Sequence, residues 1–406
     1  KTNAGIAVVL FGHNSSALDL DVDLNTFASG STGFRILGPS VGANLGVGMS
    51  GVGDVNGDSI DDIAVGAPGI ATAFLLYGRS YLLGAFADIN LATFSSGTLG
   101  IRIIGAANSM FGVSIAKIGL FNSGAFNDFV IGAPSYGSNN GAAFIIFGTS
   151  AVSFVDYAMS SSGGTRWFAA QGTNSQGNCG MSVSGAGDMN GDGLADVLIG
   201  CPGVSKAMVL YGRVSIPTLP VTLQNLDNSD GFTVRAEDDD DFVGYSVSGG
   251  KDLNGDGKPD IVVGGYGAMS QGRTNAGVLF IVYGRSTSSF NPTILLDNLS
   301  PSVGYTVYGG ASGDYLGGAV SVAGDVNGDG IGDYIVGAYG ADAPGKAQSG
   351  AVYVLFGNTN GAVSYDLSFL TTSNYYKGFI VRGASSNDAF GTAVSNAGDF
   401  NGDGID

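Results

Sequence analysis

Glutamate is almost missing from this chain of 406 residues: Glu237 stands alone, and every other acid is an aspartate. Lysine and arginine together number 16, histidine and tryptophan one each, cysteine two. Without Glu and Lys the usual surface of an amphipathic helix cannot be built, whereas 71 glycines with abundant Asn, Asp and Ser supply turns. The composition therefore points to an all-β protein. No apolar run approaches the roughly 18 residues that a membrane-spanning helix needs, so no membrane insertion by this segment is expected. A formal charge of −18 excludes the basic surface that nucleic acid demands. With His13 as the sole histidine and no partner residues around it, a Ser-His-Asp or Cys-His triad has nothing to be built on. No glycine-rich phosphate loop leads from a strand into a helix. The chain reads as a non-enzyme.

What it does contain is a nine-residue phrase, Asp-x-Asn-Gly-Asp-x-x-x-Asp, repeated in one register. Its copies place Asp54, Asn56, Asp58 and Asp62; then Asp188, Asn190, Asp192 and Asp196; then Asp252, Asn254, Asp256 and Asp260. A fourth places Asp325, Asn327, Asp329 and Asp333, and a fifth, Asp399, Asn401 and Asp403, ends at Asp406 one residue short of its last acid. Side chains at positions 1, 3, 5 and 9 offer hard oxygens. The residue at position 7 (Ile60, Leu194, Lys258, Ile331 and Ile405) can add its backbone carbonyl. Such a set suits Ca²⁺, which takes six to eight oxygens in a flexible shell. The glycine at position 4 allows the left-handed dihedrals of a loop folded back on itself. Metal-free Asx turns would explain one copy but not five in register. Fourteen of the negative charges are the ligand aspartates of these loops, and five bound Ca²⁺ would bring −18 to −8, so the acidity reads as a metal requirement. Millimolar Ca²⁺ outside a cell would fill such sites, which places the protein in an extracellular setting. Asn14 and Asn298 lie in N-glycosylation sequons.

The loops mark a period. Asp54 and Asp188 are 134 residues apart, twice 67, and later spacings are 64, 73 and 74. Midway through the 134 lies a worn copy, residues 120–128, in which Leu120 and Gly124 replace two acids; no metal is expected there. Four strand-like phrases recur per unit: Gly-aromatic (Gly33-Phe-Arg-Ile-Leu37), hydrophobic-Gly (Phe111-Gly-Val-Ser-Ile115), a continuous apolar run (Ile63-Ala-Val-Gly-Ala-Pro68), and a strand closing on aromatic-Gly (Ala73-Phe-Leu-Leu-Tyr77-Gly). Four short strands per 65–70 residues is the arithmetic of a β-propeller blade. A linear β-solenoid is the other possibility, with shorter rungs. Complete units run over about 33–78, 99–148, 165–212, 231–284 and 303–357, with residues 1–12 as an outer strand and 377–406 as first strands of a split or truncated blade. Closure through the two ends gives six blades, and the chain reads as a piece of a longer protein.

Phe111-Gly112 followed by Gly132-Ala133-Pro134, and Gly66-Ala67-Pro68 after the first acidic loop, resemble FG-GAP repeats. That family builds the seven-bladed propeller of integrin α chains and occurs in related secreted bacterial and algal proteins. The resemblance covers essentially the whole chain. It implies a calcium loop between adjacent strands of most blades, with the residues named above as ligands. Gly264-Gly-Tyr266 and Gly337-Ala-Tyr339 depart from it by losing the Pro. Cys179 fills the Phe slot and Cys201 the Ala slot of one repeat; a disulfide is expected, the alternative being two small buried hydrophobes. The acidic run 237–241 reads as a solvated loop and Trp167 as core. The function expected is an extracellular structural or adhesive module, with a subunit of a surface filament or coat as one form of it. The partners would be other protein subunits, or glycans if the propeller is lectin-like. The remaining alternative is the non-catalytic propeller of a larger secreted enzyme.

Overall fold

The computed structural model describes every residue except 1, 13–23, 25, 26, 28, 31, 81–85, 151–155, 160–165, 174, 175, 217–219, 286–291, 360–362, 371–376, 400–403 and 406. The described residues form six sheets, mostly of four or five strands, joined by turns and single 3₁₀ turns. The fold is all-β and fits a propeller.

The second sheet shows the pattern. Met49–Gly53 pairs antiparallel with Asp62–Ala67, which pairs with Thr72–Leu76, which pairs with Gly100–Ile104. A two-residue strand, Tyr157–Ala158, then joins the outer edge in parallel. The same order recurs in the sheets that begin at Ile115–Gly119, Val183–Gly187 and Val243–Lys251, and without the parallel edge strand at Leu316–Gly324. The first sheet holds Ile6–Leu10, Gly33–Leu37 and Ile89–Asn90.

The sheets are cut one strand away from the sequence units. Gly33–Leu37, which opens a unit in the sequence, is bonded to Ile6–Leu10 and so closes the sheet before. Gly231–Arg235 likewise closes on Lys206–Leu210, and Gly304–Tyr308 on Val278–Val282. A tandem repeat looks the same wherever its first residue is placed, so only the pairing reveals where each sheet starts. One consequence is interlocking, because each unit donates its opening strand to its neighbour's sheet.

Each apolar run sits second in its sheet and is covered on both faces. Asp128–Ala133 and Asp196–Cys201 are buried at every position, which explains why they do not alternate. Apolar clusters fill the space between consecutive sheets. Ala7, Phe34 and Ile36 meet Val65, Phe74 and Leu76 between the first two, and Ile118, Phe121 and Phe168 meet Val197, Ile199 and Leu210 between the third and fourth. Trp167 lies in such a cluster beside Phe144, as core.

The glycines of the two motifs have one physical cause. A Cβ on Gly66 would sit 1.8 Å from the carbonyl oxygen of Gly112, one repeat on, and the pairs Gly132/Gly180, Gly200/Gly244, Gly264/Gly317 and Gly337/Gly391 repeat that collision. The glycine of Gly-Ala-Pro therefore packs backbone to backbone against the glycine of the next Phe-Gly. Ser114, Ser182 and Ser246 each donate a hydroxyl to the same carbonyl of the following repeat, at 2.9, 2.9 and 2.6 Å. We expect Gly66→Ala to cost about 3 kcal/mol by overpacking; a urea midpoint equal to that of the parent would refute this account of the contact.

Candidate metal centres

Each of the first four acidic loops is the turn between the first and second strands of a sheet, residues 54–62 linking Met49–Gly53 to Asp62–Ala67. The internal bonding is the same from copy to copy. Asp54 Oδ1 accepts from the Gly57 N–H at 2.6 Å and the Asp58 N–H at 3.2 Å, and its Oδ2 accepts from Ser59 N–H at 2.9 Å. Asn56 Oδ1 accepts from that same Asp58 N–H at 2.8 Å, while Asn56 Nδ2 donates to Asp58 Oδ2 at 3.0 Å. The oxygens of positions 1 and 3 thus converge on one N–H, and position 5 is tied to position 3. In the second copy Asp188, Asn190 and Asp192 repeat these bonds at 2.7 to 3.0 Å. Asp252, Asn254 and Asp256 do so in the third, and in the fourth Asp325, Asn327 and Asp329 repeat the bonds of the position-5 and position-6 N–H groups and of the Asn Nδ2. Glycine 57 has φ +82° and its counterparts Gly191, Gly255 and Gly328 fall between +74° and +79°, as the fold-back requires.

Of the fifth copy, Asp399 and Ile405 are described, and Asp399 Oδ2 accepts from Gly404 N–H at 2.8 Å, matching the first loop. Asn401 and Asp403 lie outside the described residues. Among the described residues no three acidic side chains converge to metal-holding distance. Their carboxylates turn instead to backbone N–H groups within the loop. The donor set, two carboxylates and an amide on one exposed turn, is that of a hard-cation site and fits Ca²⁺.

Position 9 behaves differently. Asp62 is fully buried, and its two oxygens accept from Val55 N–H at 3.0 Å and Gly78 N–H at 2.8 Å. Asp196 binds Met189 and Gly212 in the same way, Asp260 binds Leu253 and Gly284, and Asp333 binds Val326 and Gly357. The worn repeat keeps this bond pair. Asp128 accepts from Phe121 N–H at 3.0 Å and Gly148 N–H at 2.9 Å, although Leu120 and Gly124 stand where its sisters have acids. The last aspartate is thus a latch. It ties the start of its loop to the glycine just past the third strand, in the four complete acidic loops and in the worn copy alike. Sequence reasoning placed it among the ligands and did not see this second task; its survival in the worn copy was the available signal.

Burial is the main influence on these carboxyls. It pushes Asp128 up to about 6, against the lowering effect of its N–H donors, and Asp333 to about 6, Asp260 to about 7 and Asp196 to about 8. A folded-state value above the unfolded one favours the protonated form on folding. The associated stability is complete below about pH 4 and lost as pH rises through the folded values. Metal-free protein should therefore melt at a higher temperature at pH 5 than at pH 7.5, with Asp128 alone contributing about 1.4 kcal/mol over that interval. A flat or opposite profile in metal-stripped buffer, read by scanning fluorimetry, would refute this.

Cys179 and Cys201 are disulfide-bonded, with Cα atoms 4.0 Å apart. They close the end of the hairpin opposite loop 188–196. Asn298 is exposed on the turn Leu296–Asn298, while Asn14 lies outside the described residues. The acidic run forms an exposed 3₁₀ turn, Asp239–Asp241, in keeping with a solvated loop. At that end of the sheets, away from the acidic loops, stands a chain of rings that the sequence did not reveal. Phe242 stacks on Tyr266 at 5.2 Å, Tyr266 meets Tyr315 at 6.3 Å, and Tyr315 stacks on Tyr339 at 5.0 Å. Tyr266 and Tyr339 are the residues that replace the motif's Pro.

A family model for the FG-GAP repeat matches residues 50–70, 243–282 and 316–355. Integrin alpha-PS5 of Drosophila melanogaster is 31% identical over 176 residues, covering 42% of this chain and 16% of that protein. Integrin alpha-2 of Bos taurus is 32% identical over 169 residues, 41% of this chain and 14% of its own length. Integrin alpha-5 of Xenopus laevis is 29% identical over 239 residues, 58% of this chain and 20% of that protein. The chain thus spans a fifth or less of the curated relatives it matches. No described helix is long and apolar enough to cross a membrane. By its motifs, its sheets and these matches, the chain carries segments that match the FG-GAP repeat and is similar over part of its length to integrin α chains.

Proposed function

We propose that this chain is a non-enzymatic, extracellular, Ca²⁺-stabilised propeller serving as a structural or adhesive module through other protein subunits. The observation that carries the reading is the repeated loop: in four copies the position-5 N–H bonds both the position-1 carboxylate and the position-3 amide oxygen. The ligands would be Asp54, Asn56, Asp58 and Asp62 with the Ile60 carbonyl, and the corresponding residues of the sister loops. A bound ion would neutralise carboxylates that otherwise crowd one turn and would pin the first strand of a sheet to its second. Equilibrium dialysis should find four to five Ca²⁺ per chain, because five loops carry the phrase and the worn one does not. A stoichiometry of zero sinks the reading. Assembly into a filament or coat predicts that light scattering at high concentration with Ca²⁺ shows species larger than the monomer.

The ring chain favours a second reading, a glycan-binding propeller. Aromatic faces gathered at one end of the sheets offer stacking surfaces, and Phe242 and Tyr315 hold left-handed φ values of +53° and +54° that bulky residues seldom adopt. A glycan array that returns no selective binding removes it.

A further inference from the structure

We propose that the Asn-Gly pairs inside the acidic loops are sites of self-promoted deamidation that bound Ca²⁺ holds in check. The inference rests on the calcium reading above. Every loop carries Asn-Gly at positions 3 and 4, namely 56–57, 190–191, 254–255, 327–328 and 401–402. Deamidation begins when the nitrogen of the following residue attacks the Asn side-chain carbonyl carbon. A following glycine puts no Cβ in the way.

The loop supplies the rest of the chemistry. The attacking Gly57 N–H is held by Asp54 Oδ1 at 2.6 Å, and Gly191 and Gly255 are held by Asp188 and Asp252 at 2.7 Å each. A carboxylate is therefore in place to accept the proton as the nitrogen becomes a nucleophile. The departing nitrogen, Asn56 Nδ2, is bonded to Asp58 Oδ2 at 3.0 Å, with matching pairs at Asn190 and Asp192 and at Asn254 and Asp256. In the step itself the Gly57 N to Asn56 Cγ bond forms, the Cγ–Nδ2 bond breaks, and the transferred proton returns through solvent to Nδ2, which leaves as ammonia. Water then opens the succinimide at either carbonyl, giving aspartate or isoaspartate at position 56. Isoaspartate adds a methylene to the main chain of a nine-residue turn, which spoils the spacing of positions 1, 3 and 5. Ca²⁺ opposes the step because the same Asp54 and Asp58 carboxylates and the Asn56 carbonyl oxygen would be committed to the ion. Loss of calcium therefore leads to irreversible loss of the site.

The chain contains its own control. Asn140-Gly141 is also an Asn-Gly pair, but Gly141 N–H is held by the backbone carbonyl of Tyr136 and no acidic loop surrounds it. The experiment incubates the whole chain at neutral pH and 37 °C with Ca²⁺ or after metal stripping, then maps amide-to-acid conversion and isoaspartate by peptide mass spectrometry. Dialysis on the same samples counts bound Ca²⁺. Asn56, Asn190 and Asn254 should convert at least about tenfold faster without Ca²⁺ than with it, while Asn140 converts equally in both. Asp54→Asn, assayed metal-free, should slow conversion at Asn56 and leave Asn190 and Asn254 unchanged. Equal rates with and without demonstrably bound Ca²⁺, or an unaltered Asn56 rate in Asp54→Asn, overturn the proposal. If dialysis finds no bound Ca²⁺, the calcium reading fails first and its control over deamidation falls with it.

Discussion

Stripping calcium will lower the melting temperature of this protein by about 10 °C. With the ion at about tenfold its dissociation constant, each site adds RT ln(1 + [L]/Kd), about 1.4 kcal/mol. Five independent sites give about 7 kcal/mol, the scale of an entire domain's stability. For a chain of 406 residues each kcal/mol moves the midpoint by about 1–2 °C. Four of the loops join the first and second strands of their sheets, so the effect should appear as one cooperative shift and not as fraying of a single turn. Mg²⁺, which demands a tight octahedron, should restore little of it. Asp58→Asn and Asp192→Asn should each remove one ion from the dialysis count. A melting curve indifferent to both stripping and calcium re-addition would dispose of the cages as stabilising sites.

The second large effect is expected at Asp128→Ala, in the repeat predicted to bind no metal. Asp128 is 1% exposed and, besides a longer bond from Asn122 N–H, satisfies two backbone N–H groups, those of Phe121 and Gly148. Truncation leaves both donors buried without a partner, at about 1–3 kcal/mol each, with a small cavity in addition. The loss, about 4 kcal/mol, should be the same with and without Ca²⁺. Asp196→Ala removes the equivalent latch from an acidic loop and should lose more with Ca²⁺ present than after stripping, because a ligand goes with it. Urea unfolding of both variants under both conditions separates the two tasks. If Asp128→Ala proves near-neutral, the last aspartate is a metal ligand alone. If its effect varies with calcium, the worn repeat binds metal after all.

Much of the fold was legible because repetition multiplies weak signals. One loop of Asp, Asn and Gly is ambiguous, yet the same loop in one register, followed each time by an apolar run, fixes a hairpin. The disulfide was legible for a similar reason: Cys179 and Cys201 fill two slots whose sister residues flank that hairpin. The parallel edge strands were not seen. Tyr157–Ala158 and Val221–Thr222 are two residues long, too short to show any periodicity. Arg35 and Arg102, which clip Asp88 and Asp156 beside such strands, sit 53 and 54 residues from their partners, beyond any local pattern.

The sequence by itself determined the composition of each hairpin, the order of strands within a unit and the donor set of each loop, because these depend on residues close along the chain. Tertiary structure alone decided which strand closes which sheet, since a repeat carries no mark of its own beginning. It also decided that Gly66 and Gly112 touch, that Phe242, Tyr266, Tyr315 and Tyr339 line up, and that Asp128 is a latch. Each of those depends on two segments brought together by packing, and on burial that changes what a carboxylate or a glycine is for.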